Sequence, residues 1–261
     1  MLAVAQLHQQ RSKGSVIMRV GPGGVEVMRE AGSAKCRMPR GTFEAILINT
    51  SGGLAGGDVV GISATAGAGA AFTLTSQTAE RIYRTLGPAA EVKIKLTMEA
   101  GATLFWMPQE SIFFEGSALE RSLDVDLAPG STFFAVEAML FGRREMGEHV
   151  RHVSVVDRWN IRRDNSLIHS DVFRLGPDWP QSKASFGDNH AAATVLLVSD
   201  QADSLIDKVR AVLGPNDGAS AWNGKLLARC LAKDGFHLRK SLIQVFAACV
   251  GRERLPKTWT F

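Results

Sequence analysis

Carboxylates are the side chains of this sequence best able to do chemistry. Two of them could act as the general acid and base of a glycosidase, or several could offer weak oxygen ligands to a metal ion in transit. Spacing along the chain does not show that any two converge, and surface charge or a structural ion pair, such as Glu80 with Arg84, is the simpler explanation of any single one. The candidates are Asp58, Glu80, Glu110, Glu115, Glu137, Glu145, Glu148 and Asp171.

A glycine-rich segment, residues 49–58, is the second candidate. Its two pairs of glycines allow positive φ angles and a close approach of the backbone to a partner. A phosphate-binding loop would need Lys and then Ser or Thr where Asp58 and Val59 stand, and an aspartate there repels phosphate. The segment therefore predicts a tight turn or a close-contact loop and argues against a nucleotide site.

Other kinds of reactive site have little support. His149 and His152 are three residues apart, which places them on opposite faces of a strand, and no Cys/His cluster has ligand spacing. The sequence contains no GxSxG elbow and no cysteine in an activating context. Cys230 and Cys249 stand in apolar patterns and are predicted to be core residues. We expect no high-affinity metal site, no tightly bound cofactor and no catalytic nucleophile.

Strands are predicted to position most of these residues. Apolar and polar residues alternate, as in half-buried strands, at residues 25–29, 91–96 and 123–127. Three similar turns lie about 30 residues apart, each closing one strand and opening another, at residues 66–70, 98–102 and 127–131. This interval indicates stacked β-coils or a layered all-β body, although chance recurrence in a chain rich in Gly and Ala would look the same.

Beyond residue 190 the pattern changes. Strands at residues 194–198 and 226–231 alternate with helices at residues 205–213 and 235–250. Gly214 and Pro215 form a stop signal for the first helix, and Asp234 and Gly251 are suitable first and last caps for the second.

The fold class that follows is mainly β with some α. A layered, β-helix-like all-β body is predicted for residues 1–190, and a C-terminal β-α-β-α portion for residues 191–261. The polar segment at residues 177–189, which contains two prolines, reads as a long loop between them. We expect the C-terminal portion to pack on the body as one compact domain.

Composition excludes several classes of protein. The chain of 261 residues is 45% hydrophobic and 21% charged, as in a soluble globular protein, and its net charge of +4 comes from cations and anions that are well mixed. No apolar run approaches the ~18 residues of a membrane span, and the first residues do not resemble a secretory signal. Three cysteines without a CxxC pair indicate reduced thiols. We expect a cytoplasmic protein that binds neither nucleic acid nor membrane.

Six motifs resemble those of the urease accessory protein UreD family, called UreH in some organisms, in the same order and at similar intervals from about residue 45 to the C-terminus. Residues 49–58 resemble Asn-Pro-Pro-Gly-Gly-x-x-Gly-Gly-Asp, residues 75–84 Thr-Thr-Gln-x-Ala-x-x-x-Tyr-Arg, residues 107–116 Pro-Gln-Glu-x-Ile-x-Phe, and residues 142–148 Gly-Arg-x-x-Met-Gly-Glu. Residues 163–171 and 254–259 continue the match. The residues that carry it include Gly52, Gly53, Gly56, Gly57, Gln77, Tyr83, Arg84, Gln109, Arg143, Gly147 and Asp171.

The resemblance implies a β-rich body with helices near its C-terminal end and a role in urease maturation, without enzymatic activity of its own. UreD proteins form a complex with UreF and the GTPase UreG that docks on apo-urease, and GTP hydrolysis by UreG drives nickel delivery. The body is thought to offer the ion a passage. The candidates for a transient nickel path in this chain are Asp58, Glu80, Glu110, Glu115 and Glu148.

Two residues depart from the family pattern. Thr50 and Ser51 replace the usual Pro-Pro, so the entry to the glycine turn is less constrained. Asn165 stands where the family often has Gly, but Asn also tolerates left-handed geometry.

Two alternatives stay open. One is a carbohydrate-active β-helix enzyme that uses two of the carboxylates. The other is a module that only holds urease open, which a charge-neutral change such as Glu115→Gln would separate from an ion path. Pro256 and Trp259, near the end of the chain, are candidate anchors for UreF or urease, although a terminal segment docked on its own body is an equal reading.

Overall fold

Two facing β-sheets form the body of the protein, and helices cover the outer face of one of them. The computed structural model describes residues 11–143, 147–148, 150–176 and 185–260. The first sheet has seven strands in the order β14-β13-β11-β8-β5-β1-β2, and the second has ten, eight of them in the order β16-β17-β15-β12-β9-β6-β4-β3. The strands are β1 (Lys13–Gly21), β2 (Gly24–Gly32), β3 (Ala34–Arg37), β4 (Glu44–Asn49), β5 (Val59–Ala66), β6 (Ala71–Ser76), β7 (Glu80–Ile82), β8 (Ala90–Met98), β9 (Thr103–Met107), β10 (Ser111–Phe113), β11 (Ser117–Leu127), β12 (Thr132–Phe141), β13 (Val153–Arg163), β14 (Ser166–Leu175), β15 (Ala191–Val198), β16 (Gly218–Trp222) and β17 (Lys225–Ala232).

The chain alternates between the sheets from β4 to β13, so that successive passes stack as the coils of a β-solenoid. Within each sheet the stacked strands pair in parallel, for example β5 with β8 and β8 with β11. The three turns predicted from the sequence are the corners of this stack. They join β5 to β6, β8 to β9 and β11 to β12, so the mainly β, β-helix-like fold class is confirmed.

The corner turns share one backbone conformation. Gly69, Gly101 and Gly130 have φ angles of +67°, +66° and +70°. The N–H of Gly69 donates to the carbonyl of Ala100 at 3.0 Å, and the N–H of Gly101 donates to that of Pro129 at 3.2 Å. Only glycine adopts this left-handed conformation without strain, which is why the Gly recurs at each corner.

The C-terminal strands continue the second sheet. β15, buried along its whole length, pairs antiparallel with β12, and β17 pairs with β15. β16, which the sequence did not predict, adds the edge strand. Helix α1 (Ile206–Arg210) is shorter than predicted and follows a 3-10 turn, so the portion is β-α-β-β-α instead of β-α-β-α.

Helix α2 (Gly235–Val250) packs its apolar face on the outer side of the second sheet. Asp234 caps it as predicted, since its side chain accepts a hydrogen bond from the N–H of His237 at 2.9 Å, and Gly251 ends it with φ +89°. No helix among the described residues is long and apolar enough to cross a lipid bilayer.

Candidate functional site: a polar layer between the sheets

A layer of polar side chains divides the apolar interior between the two sheets. On β11 the inward-facing series includes Leu119, Arg121 and Leu123, and Arg121 is its one charged member. On neighbouring strands, too, a polar residue stands in the otherwise apolar series that faces the interior. We call these residues the polar layer: Arg121 on β11, Asp157 on β13, Glu137 on β12, Thr194 on β15 and Arg229 on β17. One hydrophobic cluster lies on each side of it.

The centre of the polar layer is an ion cluster that joins the two sheets. The Arg121 guanidinium donates to both carboxylate oxygens of Asp157, at 3.1 and 2.8 Å, and its Nη1 lies 2.6 Å from Oε2 of Glu137. The side chains of Arg121, Glu137 and Asp157 are 6%, 1% and 3% exposed. Burial raises the pKa of Glu137 and outweighs the attraction of Arg121. The indole Nε1 of Trp106 donates to Oε1 of Glu137 at 2.7 Å.

A cavity of about 210 Å³ lies between the sheets on one side of this cluster. Arg121, Glu137 and Ser111 line its inner end, and residues of the second sheet and of the loops that join the sheets line its mouth. The mouth brings together residues from three of the sequence motifs: Asn49 and Gly52 from the first, Gln77 and Glu80 from the second, and Gln109 from the third.

Glu80 is the carboxylate at this mouth. Both of its oxygens accept from the side-chain amide of Asn49, at 3.1 and 3.2 Å. The structure therefore gives Glu80 a partner other than the expected Arg84, whose backbone forms a bridge with Ser117. Burial raises the pKa of Glu80 to about 7.

The glycine loop forms one wall of the mouth. Gly53 has φ +147°, and a Cβ there would collide with the ring of Tyr83 and the carbonyl of Arg81. The Tyr83 hydroxyl donates to the carbonyl of Gly52 at 3.1 Å. The Ser51 hydroxyl donates to Oδ1 of Asn49 at 2.6 Å, so a hydrogen bond constrains the turn where the family pattern has proline. The prediction of a close-contact loop is confirmed.

The other glycines of the loop serve the same close packing. A Cβ on Gly56 would overlap the side chain of Thr85, and Gly57 has φ +82°. Asp58 follows them and is almost fully buried. It accepts from the N–H of Ser12 at 2.7 Å and from the N–H of Ala55 at 2.8 Å, so it ties the loop to the start of β1.

A second cavity, of about 240 Å³, lies on the other side of Glu137 and shares that side chain with the first. Thr194 and Arg229 line it. Arg229 donates to the Thr194 hydroxyl at 3.1 Å and to the carboxylate of Asp171 at 2.5 Å. The motif residue Asp171 therefore holds the outer end of the polar layer. The two cavities and the polar layer run from the Asn49 mouth to the edge of the second sheet.

Three of the five carboxylates predicted as a nickel path bond instead to backbone groups outside the cavities. Besides Asp58, Glu115 accepts from the N–H of Arg151 at 2.6 Å and contacts Nδ1 of His152 at 2.7 Å. Glu148 accepts from the N–H of Glu115 at 3.2 Å and from Nε of Arg143 at 2.8 Å. Burial acts to raise the pKa of both carboxyls, but these hydrogen bonds outweigh it and lower both. Both carboxylates thus stabilise the loops around them.

The fourth, Glu110, belongs to the anchor of the C-terminal tail. Arg239 on α2 donates to Glu110 at 3.0 Å, to Oε1 of Gln109 at 2.9 Å and to the carbonyl of Thr258 at 2.6 Å. Trp259 is fully buried, and its Nε1 donates to the carbonyl of Met107 at 3.0 Å. Pro256 is buried as well. The tail is docked on its own body, so neither residue presents the exposed anchor that the sequence suggested.

The remaining motif residues shape the loop after β12. The Arg143 guanidinium lies 4.3 Å from the centre of the Phe114 ring, and Gly147 has φ +72°. Glu145 and His149 lie outside the described residues, as does most of the predicted loop at residues 177–189. Asn165 adopts the left-handed conformation expected of it, with φ +62°.

The cysteines are core residues, as predicted for Cys230 and Cys249. Burial raises the pKa of Cys36 to about 11 and that of Cys230 and Cys249 to about 12. All three thiols are therefore protonated at neutral pH and poorly suited to metal binding. In the part of the chain that the structure describes, no group of three or more His, Cys, Asp or Glu side chains could hold a metal ion.

Sequence reasoning did not single out Arg121, Asp157, Thr194 or Arg229. A signal was present in the predicted strand at residues 123–127 and its extension. Arg121 stands two residues before Leu123, in the series that alternation assigns to the core, and Asp157 stands two before Trp159 in the same way. A charged residue in the apolar series of a strand marks a buried polar site.

The chain matches the model of one protein family over residues 14–260, described as UreD urease accessory protein. Among curated relatives, the urease accessory protein UreD of Mesorhizobium japonicum is 44% identical over 88% of this chain and 85% of its own length. Urease accessory protein UreD 1 of Brucella abortus biovar 1 is 41% identical over 94% and 91%. The UreD protein of Chelativorans sp. is 42% identical over 93% and 90%.

Proposed function

This chain belongs to the UreD family of urease accessory proteins, and on that premise we propose that it carries nickel toward apo-urease through its interior. In this proposal it is a cytoplasmic, non-catalytic component of a complex with UreF and the GTPase UreG. Nickel is its cargo and not a resident cofactor. The observation that carries the proposal is that Glu137, a buried acidic residue, lines both cavities.

The chemistry of the cavity walls suits an ion in transit. Carboxylate, amide and hydroxyl oxygens bind nickel more weakly than a cage of imidazole and thiolate, so they can accept the ion and release it. Glu80 and Asn49 offer such oxygens at the mouth, and Glu137 offers them in the interior. Among the five carboxylates named from the sequence, only Glu80 lines either cavity, so the path that we propose uses Glu80 and Glu137.

The glycine loop is consistent with a partner that supplies the GTPase. Its Asp58 is held by two backbone N–H groups in the place where a nucleotide loop would carry a lysine. Hydrolysis is therefore assigned to UreG, and this chain contributes binding surfaces and the passage.

The test is a urease operon reconstituted with and without this chain, with nickel counted in the purified urease. Without the chain we expect folded urease that is poor in nickel. Glu80→Gln and Glu137→Gln, which keep shape but weaken the oxygen ligands, are expected to lower the nickel content several-fold. Glu120→Gln, an exposed carboxylate on the same strand as Arg121, is the matched control and should load urease fully.

Two results would count against the proposal. Urease that is equally loaded without the chain would remove the role in maturation. Full loading by a stably folded Glu137→Gln variant would remove the passage while leaving a scaffold that only holds urease open. Thermal melting of each variant separates loss of the ligand from loss of the fold.

A further inference from the structure

We propose that Arg121 is the gate of this passage. Its guanidinium is the counter-ion of Glu137 and Asp157 and keeps weakly binding cations from these carboxylates, whereas nickel displaces it. The inference rests on the proposed function, since it names what regulates the same path. It concerns a residue that belongs to none of the six sequence motifs.

The position of Arg121 is that of a cation bridging two carboxylates. Its guanidinium contacts Asp157 on its own sheet and Glu137 on the facing sheet, at 2.8 and 2.6 Å. Glu137 is the wall shared by the two cavities, and Arg121 lines the larger one. On the proposed path, an ion that moves from one cavity to the other passes Glu137, whose carboxylate is already paired with Arg121.

The two carboxylate oxygens of Glu137 have different partners. Nη1 of Arg121 forms an ion pair with Oε2 of Glu137 at 2.6 Å, and no other group among the described residues donates a hydrogen bond to Oε2. The other oxygen is fixed by Trp106 at 2.7 Å. The buried Nε2 of Gln109, in the wall of the same cavity, has no hydrogen-bond partner among the residues that the structure describes. A cation bound at Oε2 would give that oxygen a partner in place of Arg121.

The structure also leaves room for the Arg121 side chain to move away from Glu137. The cavity of about 210 Å³ lies beside its side chain, and Nη1 already donates a hydrogen bond to the Ser111 hydroxyl at 3.3 Å. The guanidinium can therefore leave Glu137 while it keeps its hydrogen bonds with Asp157 and Ser111. Such a movement needs only a rotamer change in a long side chain.

Competition with Arg121 explains selectivity. Two cations that exclude each other from one carboxylate weaken each other's binding equally. The ion pair with Arg121 therefore sets the minimum affinity that a cation needs in order to displace Arg121 from Glu137. Nickel binds nitrogen and oxygen ligands more strongly than manganese, iron or cobalt does, and magnesium gives up its water reluctantly. The affinity of magnesium for the carboxylate is below this minimum even though magnesium is abundant, whereas the affinity of nickel is above it.

The test is equilibrium dialysis of the full-length chain against nickel chloride and, separately, magnesium chloride. Arg121→Gln is expected to raise the affinity for nickel by about tenfold and to make magnesium a competitor. Arg121→Lys, which keeps the charge but loses the fork, should give a smaller rise. The double variant Arg121→Gln/Glu137→Gln should lose the gain. Arg19→Gln is the matched control, because Arg19 also bridges two carboxylates, Glu26 and Glu99, but at the surface.

Unchanged nickel affinity in a folded Arg121→Gln chain would overturn the gate, as would a gain that survives in the double variant or appears equally in Arg19→Gln. If Arg121→Gln does not fold, Arg121→Lys decides: an affinity equal to that of the wild type overturns the proposal, and a raised affinity supports it. The readout is metal bound to this chain, whereas the test of the proposed function counts nickel in urease. Failure of one is therefore distinguishable from failure of the other.

Discussion

Stability alone does not explain why Arg121, Glu137 and Asp157 are buried together. Moving three charges out of water carries a desolvation cost of several kcal/mol per ion, and apolar replacements of similar volume are often neutral or stabilising. Leucine or valine would fit the series in which each residue stands, since apolar side chains precede and follow it on the same face. The energetics of burial therefore leave room for the functional role that we propose for the cluster.

At the same scale, Glu80 makes stability depend on pH in a direction opposite to that of most carboxylates. Its folded pKa of about 7 lies above its ordinary value of 4.5. Between these values the folded protein keeps a proton that the unfolded chain has lost, so stability decreases as pH rises from 5 to 8.

We therefore predict that Glu80→Gln melts with a weaker dependence on pH than the wild type. The expected difference between pH 5 and pH 8 is about 5–10 °C in Tm, because a pKa raised from 4.5 to about 7 corresponds to ~2.5 kcal/mol over this range in a domain of this size. Scanning calorimetry at several pH values measures it, with Glu120→Gln as the control. Parallel Tm curves for Glu80→Gln and the wild type would show that the Glu80 carboxyl is solvated in solution.

At the scale of the elements, the corners decide whether the coils can stack. Gly101 stands in the middle corner with φ +66° and open space around the position of a Cβ. Strain there would arise from the backbone and not from a clash, which makes the corner a clean site for substitution.

We predict that Gly101→Ala lowers the free energy of unfolding by about 1–2 kcal/mol, the cost of a left-handed residue that carries a Cβ. Gly101→Asn should lose less, because Asn tolerates this conformation. Gly87→Ala, at another glycine with open space but without a positive φ, is the control. Urea denaturation measures the three. Equal stability of Gly101→Ala and Gly87→Ala would contradict the corner geometry.

The elements also show how far the sequence was informative. Alternation predicted β8 and β11, and the interval of about 30 residues between Gly turns predicted the coils. The sequence did not predict β16, because Gly218, Ala219 and Ser220 have low strand propensity. These residues form a strand because they pair with β17. Glu80 was among the carboxylates that the sequence singled out as candidates. The role of Glu137 depends on which strands face each other across the interior, and no local pattern reports that.

At the scale of the whole molecule, the C-terminal tail fastens the layers together. Trp259 packs edge-on against Phe246 of α2, with ring centres 5.0 Å apart, and bonds to Met107 at the end of β9. Thr258 reaches the Thr75 hydroxyl at 2.9 Å. The last residues of the chain thus connect a helix to strands far earlier in the sequence.

We predict that Trp259→Ala destabilises the protein by about 3–5 kcal/mol, as expected when a large buried side chain is removed. Trp259→Phe should cost less, and Thr260→Ala, at the exposed neighbour, should change little. Chemical denaturation compares them. If Trp259→Ala is as stable as Thr260→Ala, the tail is not docked in solution. Trp259 would then be available to bind a partner, as the sequence suggested.

The parallel stacking of the coils has a consequence for biosynthesis. Ile62 pairs with Ile94, which in turn pairs with Leu123, so each strand waits for a neighbour about 30 residues further along the chain. A hairpin such as β1–β2 can close as soon as it leaves the ribosome, but a solenoid strand cannot pair until the whole next coil has emerged. Pairings of such long range form slowly and leave strand edges open to aggregation in the meantime. The yield of this protein in a cell should therefore depend on the speed of translation, because slower synthesis lengthens the time for which each strand edge waits unpaired.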